Sequence, residues 1–400
     1  MSDNAIYYWH QLVLFSAFIL SAYLLENLGI QYVSEGGSAV IKIHFYSYLL
    51  MLLTAFICIT RGINHSWLQL GGFRLVWLLS IISIAIVIVY GLIRFGTSGM
   101  AYLIDTIFVP LLLFFTLAQL NTNHKIKLLR FIAYMLLLNS VIAILEFAMG
   151  TTLMAVEFAH FSFFRSTALL NFPLNNALIT AALTPILLNH TRLPALAYFA
   201  ISFLALFAFG GRAALAIFIV GMLLFMLPEV VRFFSTGVKV TKVQFALIQG
   251  LFFFLIMGLV LILALTPIGA RVLSKLYIDN SAQARFDVFT ILDQLTVEEW
   301  LFGASQQLIN NIAFYIDINV IENYIIGWVV SFGLLCTMLL MISCYSVAVN
   351  LAFKRGIKLF VPLLVFVSVS VTNNALTSKT PALLLLFSSF YLYATCRIKR

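Results

Sequence analysis

The chain has 400 residues, 63% hydrophobic and 9% charged, with a mean hydropathy of +1.08. A soluble domain carries roughly 25% charged residues, so a water-soluble globular protein is excluded, and an all-α polytopic membrane protein is predicted. The net charge of +9 comes from cations scattered through loops, with no basic run or basic helix, so no nucleic-acid partner is expected.

Met1 to Tyr8 is polar, without a basic n-region or a small-residue cleavage site, so no removable signal is expected. A spanning helix needs about 20 mostly apolar residues. On that rule twelve spans are predicted, at 9–28, 43–61, 73–93, 101–120, 128–149, 167–189, 193–210, 212–229, 244–267, 321–344, 358–376 and 381–396. Residues 1–400 read as one integral membrane domain, interrupted by a polar loop at 268–320. The pair meeting at Gly210-Gly211 is joined so tightly that one broken helix fits equally well. Cys58, Cys336, Cys344 and Cys396 all lie in hydrophobic runs without metal-ligand spacing, and read as small core residues.

Short loops rich in Lys and Arg stay on the cytoplasmic side. With both termini in the cytoplasm, fifteen of the 23 cations fall inside and eight outside, among them Lys42, Arg94, Arg165, Arg212, Arg285 and Lys379. The opposite orientation reverses the ratio, so the polar loop is predicted to be external. Charge in a bilayer is expensive and tends to mark function. Glu26, Asp105, Glu146 and Glu322 all fall near the predicted outer ends of spans. A transporter needs polar groups along a whole path; a one-sided set suits a site open to the outer face.

Within the loop, Asn280 or Ser281 can cap a helix starting at Ala282. Val288, Phe289, Leu292 and Leu295 form an amphipathic stripe on it, and Arg285 lies one turn earlier on the same side. Glu299 to Gly303 reads as a short turn. The chain then re-enters the hydrophobic run through Glu322-Asn323-Tyr324. Arg165 and Arg212 each precede a span. Singly each reads as a flanking anchor, but few cations are external and three arginines stand beside helix N-termini. Arg suits bidentate contact with phosphate, and helix N-termini favour anions. Pro173 bends the sixth span, where Asn171, Asn175 and Asn176 offer amides to sugar hydroxyls or to the opened backbone.

Four segments together resemble the bacterial O-antigen polymerase and ligase superfamily, integral glycosyltransferases of the GT-C type. They are Ala143–Gly150, Phe164-Arg165 through Pro173-Leu174, Gly211-Arg212-Ala213, and the loop from Ser281-Arg285 through Leu301-Phe302-Gly303 to Glu322-Asn323-Tyr324 and Gly333-Leu334. The likeness covers roughly 95–340. Asn171-Phe172 departs from the Gly-His common at that place. Glu322 stands where ligases carry His, which tilts the resemblance toward exopolysaccharide repeat-unit polymerases.

The resemblance implies an inverting, metal-independent glycosyltransferase of the bacterial inner membrane, with its active site facing the periplasm and no cofactor. It would transfer a glycan from undecaprenyl pyrophosphate to a lipid-linked acceptor repeat unit, alongside membrane lipids and a chain-length regulator. Arg165, Arg212 and Arg285 would hold the pyrophosphate, with Arg285 also catalytic. Glu322 would be the base. Asn171, Asn175, Asn323, Tyr324, Asp105 and Glu146 would bind sugar or support the site. A ligase to a lipid or protein acceptor, or a lipid-linked oligosaccharide flippase, are the alternatives.

Overall fold

The computed structural model describes residues 2–33, 38–97, 99–154, 164–237, 289–305 and 321–396, with isolated positions between 241 and 261 and at Leu308. Among them there are helices and no strands. A chain buried in lipid must satisfy its backbone within each segment, and the helix does this residue by residue.

The first helices are α1 (Asp3–Ile19), α2 (Ala22–Asn27), α3 (Phe45–Arg61), α4 (Ile63–Gln69) and α5 (Arg74–Phe95). A π-helical turn, Leu103–Phe108, leads into α6 (Val109–Leu117). Then come α7 (Thr122–Met149), α8 (Pro173–Leu187), α9 (Ala195–Phe209) and α10 (Arg212–Thr236). Two short helices follow, α11 (Phe289–Leu292) and α12 (Val297–Phe302), then the long α13 (Tyr324–Arg355), and finally α14 (Ile357–Ser370) and α15 (Ala382–Thr395).

Helices form in every predicted span that is described, but their lengths differ. Gly71–Phe95, Thr122–Met149, Arg212–Thr236 and Tyr324–Arg355 are long and apolar enough to cross a membrane. Phe45–Arg61 with Ile63–Gln69 is a fifth only if counted as one, since the pair is bent by 110° at Gly62, whose φ is 80°. The remaining apolar helices, such as Pro173–Leu187 and Ala382–Thr395, are shorter. Fifteen helical residues rise about 22 Å against a hydrocarbon layer of about 30 Å. Hydropathy counts apolar residues but does not see where a helix stops. Thus 9–28 breaks at Leu20-Ser21, and 167–189 becomes helical only from Pro173. The pair at Gly210-Gly211 is two helices: α9 ends with Gly210 left-handed (φ 69°), and α10 starts two residues later. Most of 244–267 lies outside the described residues.

The surface is that of a helical membrane protein. Along α5, Leu75, Leu79, Ile82, Ile86, Val89 and Ile93 are exposed in one stripe, Ile93 by 82%. α10 carries another through Val220, Leu223 and Leu227. Apolar patches of this extent do not face water on a soluble monomer. Inside, small polar groups tie helices together, as expected where hydrophobicity gives no drive between them. Ser80 Oγ and Ser346 Oγ lie 2.6 Å apart, and Ser343 Oγ donates to Ser80 O at 3.0 Å.

Cations gather around one set of helix ends. Arg61 pairs with Asp3 at 2.6 Å, Lys358 with Glu229 at 2.6 Å, and Lys354 lies 3.9 Å from the Phe73 ring. Arg355 Nε donates to Ala394 O at 2.8 Å. The buried acids Asp105 and Glu146 lie away from these ends, at the start of α6 and the end of α7.

The polar loop is described at 289–305 and at Leu308, and Arg285 and Val288 lie outside these residues. The expected stripe is corrected: Ile291 and Leu295 are buried, while Phe289 is 52% exposed. Glu299–Gly303 is not a bare turn but the end of α12, whose capping box joins Thr296 and Glu299. The Glu299 carboxylate also accepts from Ser305 N at 3.0 Å. Backbone donation from Ser305, with further bonds from Ser305 and Thr296, holds it well below the usual carboxylate range, at about 2. α12 docks on a break in α13. Ala304 N donates to Val330 O at 2.8 Å, and Gly333 has φ 78°. A Cβ on Gly333 would stand 2.2 Å from Leu301 O, and one on Gly303 2.7 Å from Ser331 O. The two glycine motifs of the sequence therefore meet. Arg94 at the end of α5 secures the junction by donating to the carbonyls of Phe302, Gly303 and Ala304.

Candidate functional site

A cavity of about 990 Å³ opens where the α1–α2 break, the 38–44 segment, the 96–102 turn, the 170–175 segment and the 374–381 loop converge. Each of these is a helix end or connection. Its wall includes Tyr23, Tyr32, Lys42, His44, Tyr102, Asn175, Asn374 and Lys379, and among the described residues no Asp or Glu lines it.

Asp105 organises this wall from behind. It sits on the π turn, fully buried, where the extra residue of a π turn redirects a side chain. Its carboxylate accepts from Tyr32 Oη (2.8 Å), Ser47 Oγ (2.6 Å) and the His44 backbone N–H (3.0 Å). Tyr46 Oη donates to its backbone carbonyl at 2.9 Å. Fully buried and outside the cavity lining, Asp105 supports the wall from behind. Lys379 Nζ lies 4.0 Å from the Tyr32 ring centroid and donates to Tyr32 O at 2.5 Å. Burial lowers the ammonium to about 8, against the raising pull of Asp105. Lys42 Nζ donates to Gln31 O at 2.8 Å.

The second element is the irregular segment 164–172. Its backbone is strained: Ala168 has φ 42° and Asn171 φ 53°, conformations that cost an L-residue of order 1–3 kcal/mol and concentrate at functional sites. Glu146 holds it in place. The 1%-exposed carboxylate accepts from Ser166 Oγ (2.5 Å), Thr167 N (2.9 Å), Ala168 N (2.9 Å) and Leu153 N (2.6 Å). Asn139 accepts from Leu169 N at 3.0 Å and donates to Asn176 Oδ1 at 2.9 Å. Asn176 donates to Thr167 O at 2.7 Å. Asn171 Nδ2 donates to Ser21 Oγ, joining the segment to the α1–α2 break.

This segment connects two predicted site features. At one end, Ser166 N donates to Ala208 O at 2.9 Å. That bond draws the backbone beside Arg165 to the α9–α10 turn, from which Arg212 begins α10. At the other end Leu170, Phe172 and Asn175 form cavity wall. Arg165 is half-buried and Arg212 exposed. Arg285, their expected third partner, lies outside the described residues.

Glu322 is half-buried on the segment entering α13. The next two predicted residues are structural. Asn323 caps α13 by accepting from Ile325 N (3.0 Å) and Ile326 N (3.3 Å). Tyr324 is fully buried, 2.9 Å from Tyr345 Oη and edge-on to Trp328. One turn on, Gly327 reaches the cavity wall, with a Cβ there placed 3.2 Å from Thr377.

Sequence reasoning missed Lys42, Lys379, Tyr32 and His44 as cavity residues, using the two lysines only as markers of side. The signal available was the polar run Thr372-Asn373-Asn374 through Ser378-Lys379-Thr380 between two apolar helices. Among the described residues no three His, Cys, Asp or Glu side chains converge as a metal site. No protein-family model matches the chain, and no curated protein matches it either.

Proposed function

We propose that the chain is a polymerase of lipid-linked polysaccharide repeat units, working at the outer face of a bacterial inner membrane. The observation that carries the reading is the cavity. Its wall mixes apolar side chains with two lysines, tyrosines and asparagines, no Asp or Glu among the described residues lines it, and it shares segment 164–172, whose Ser166 bonds Ala208 beside the turn that carries Arg212. An anionic, hydroxyl-rich lipid headgroup fits this chemistry. The exposed apolar stripes of α5 and α10 keep such a lipid within reach. In the fuller form of the proposal the chain crosses the membrane twelve times, with both termini cytoplasmic and the 268–320 loop external.

The reaction is a displacement at the anomeric carbon. An acceptor hydroxyl oxygen forms the new glycosidic bond as the bond to the diphosphate oxygen breaks, and that electron pair leaves with the diphosphate. The hydroxyl proton passes to the Glu322 carboxylate. Negative charge grows on the leaving diphosphate, and guanidiniums fixed beforehand around it stabilise the transition state more than the ground state. Arg165 and Arg212 take this role, joined by Arg285. Glu146 and Asp105 act by holding backbone and wall.

The reading is tested with purified protein and lipid-linked repeat units. Arg165→Ala and Arg212→Ala should abolish polymer while expression and membrane insertion stay normal. Full activity in Glu322→Gln would remove Glu322 as the base. A single transfer to a lipid or protein acceptor, without a ladder, would make the chain a ligase.

A further inference from the structure

The proposed reaction brings two lipid-linked substrates, and so two diphosphates, to one region, while the Arg165–Arg212 turn accounts for one. The cavity contains the elements of another anion site. α8 starts at its wall with Phe172 as N-cap, and no side chain caps the first turn. With Pro173 lacking an N–H and Asn176 N bonded to Phe172 O, this start offers the backbone N–H groups of Leu174 and Asn175 and a dipole that favours negative charge. In the same turn, Asn175 is only 6% exposed and lines the cavity. Its Oδ1 has no hydrogen-bond partner among the described residues. A buried amide in that state is costly and calls for a partner. It can present its oxygen to a sugar hydroxyl or, turned over, its NH2 to a phosphate oxygen. Lys379 and Lys42 add positive charge to the same wall. Two carboxylates stand nearby, Asp105, which accepts from Tyr32, Ser47 and His44, and Glu26, which accepts from Val33 N, and both act electrostatically on Lys379.

We propose that this cavity is a second anion site, apart from the arginine turn, holding the diphosphate of one lipid-linked substrate between Lys379, Lys42 and the first turn of α8. The lipid's identity rests on the polymerase reading; the anion chemistry stands without it. The test is calorimetric titration of the full chain in neutral-lipid nanodiscs, with farnesyl diphosphate as the probe and inorganic pyrophosphate beside it. Wild type should bind farnesyl diphosphate at two sites. Lys42→Gln with Lys379→Gln should abolish one, Arg165→Gln with Arg212→Gln the other, and Lys379→Arg should keep both. Inorganic pyrophosphate should bind the lysine site about tenfold more weakly or worse, lacking the apolar tail. If Lys379→Gln unfolds the chain, Lys42→Gln alone must weaken that site about tenfold, the scale of one lost charged hydrogen bond. Two-site binding undiminished in the folded double variant overturns the proposal. So does pyrophosphate binding as tight as farnesyl diphosphate, which would mark a site for free anions. A polymer ladder with unchanged binding in the lysine variants sinks this inference alone. Lysine-dependent binding without any polymer sinks the polymerase reading and leaves this site standing.

Discussion

Glu146→Leu isolates what holds Arg165 in place. The carboxylate accepts four donors: Leu153 N, Ser166 Oγ, Thr167 N and Ala168 N. Leucine keeps roughly the volume but accepts from none of them, whereas glutamine would leave its oxygen on the three donors that share one carboxylate oxygen. The Ser166 hydroxyl can rotate toward another acceptor, whereas the Thr167 and Ala168 N–H groups cannot. Both are fully buried residues. A buried donor left unsatisfied costs about 1–3 kcal/mol, so two lose on the order of 2–6 kcal/mol. The middle of that range corresponds to a several-hundredfold shift toward the open segment. Hydrogen exchange on peptides covering 164–172 reads this directly. We expect exchange faster by about a hundredfold or more there, with the α13–α14 peptides unchanged, and polymer formation reduced as in Arg165→Ala. Unchanged exchange at 164–172 in the variant would refute the claim that Glu146 fixes this segment.

Three further outcomes follow from the same geometry. Asp105→Asn should be milder, about 0.5–1.5 kcal/mol, because the His44 N–H reaches either carboxylate oxygen at 3.0 Å and the Tyr32 and Ser47 hydroxyls can turn; a slightly lowered unfolding midpoint in detergent checks it. Gly333→Ala should release α12 from α13, since the added Cβ would stand 2.2 Å from Leu301 O at a φ of 78°; limited proteolysis should then cut within 297–305 in the variant but not in wild type. Lys379 titrates at about 8, so diphosphate affinity at the lysine site should be full near pH 7 and fall as pH rises through that value. Lys379→Arg should flatten that profile, and a fall of equal size in it would show that another group titrates.

Helical class and membrane character were legible in the sequence because both follow from composition and run length. The segments that bend were not. Leu20-Ser21 and residues 166–172 are apolar or small enough to pass for span, yet their backbones leave the helix. What breaks them is tertiary: the Glu146 carboxylate and the Asn139 and Asn176 amides satisfy the backbone of 166–172 from other helices. The acids were recognised as meaningful, but their chemistry was not readable. Asp105 and Glu146 look like site residues in one dimension, and three dimensions surround each with protein donors. The lysines went the other way, from side markers to cavity wall, because residues 42 and 379 meet only when the first and last helices pack on the centre. Gly303 and Gly333 were visible as motifs, while their contact depends on the break in α13.

The most direct test of the central claim is reconstitution of the purified chain in vesicles with lipid-linked repeat units supplied from the outside. A ladder of products differing by one repeat unit, absent with Arg165→Ala or Arg212→Ala, is the predicted result. No ladder, together with movement of intact lipid-linked units between leaflets, would contradict it and make the chain a flippase.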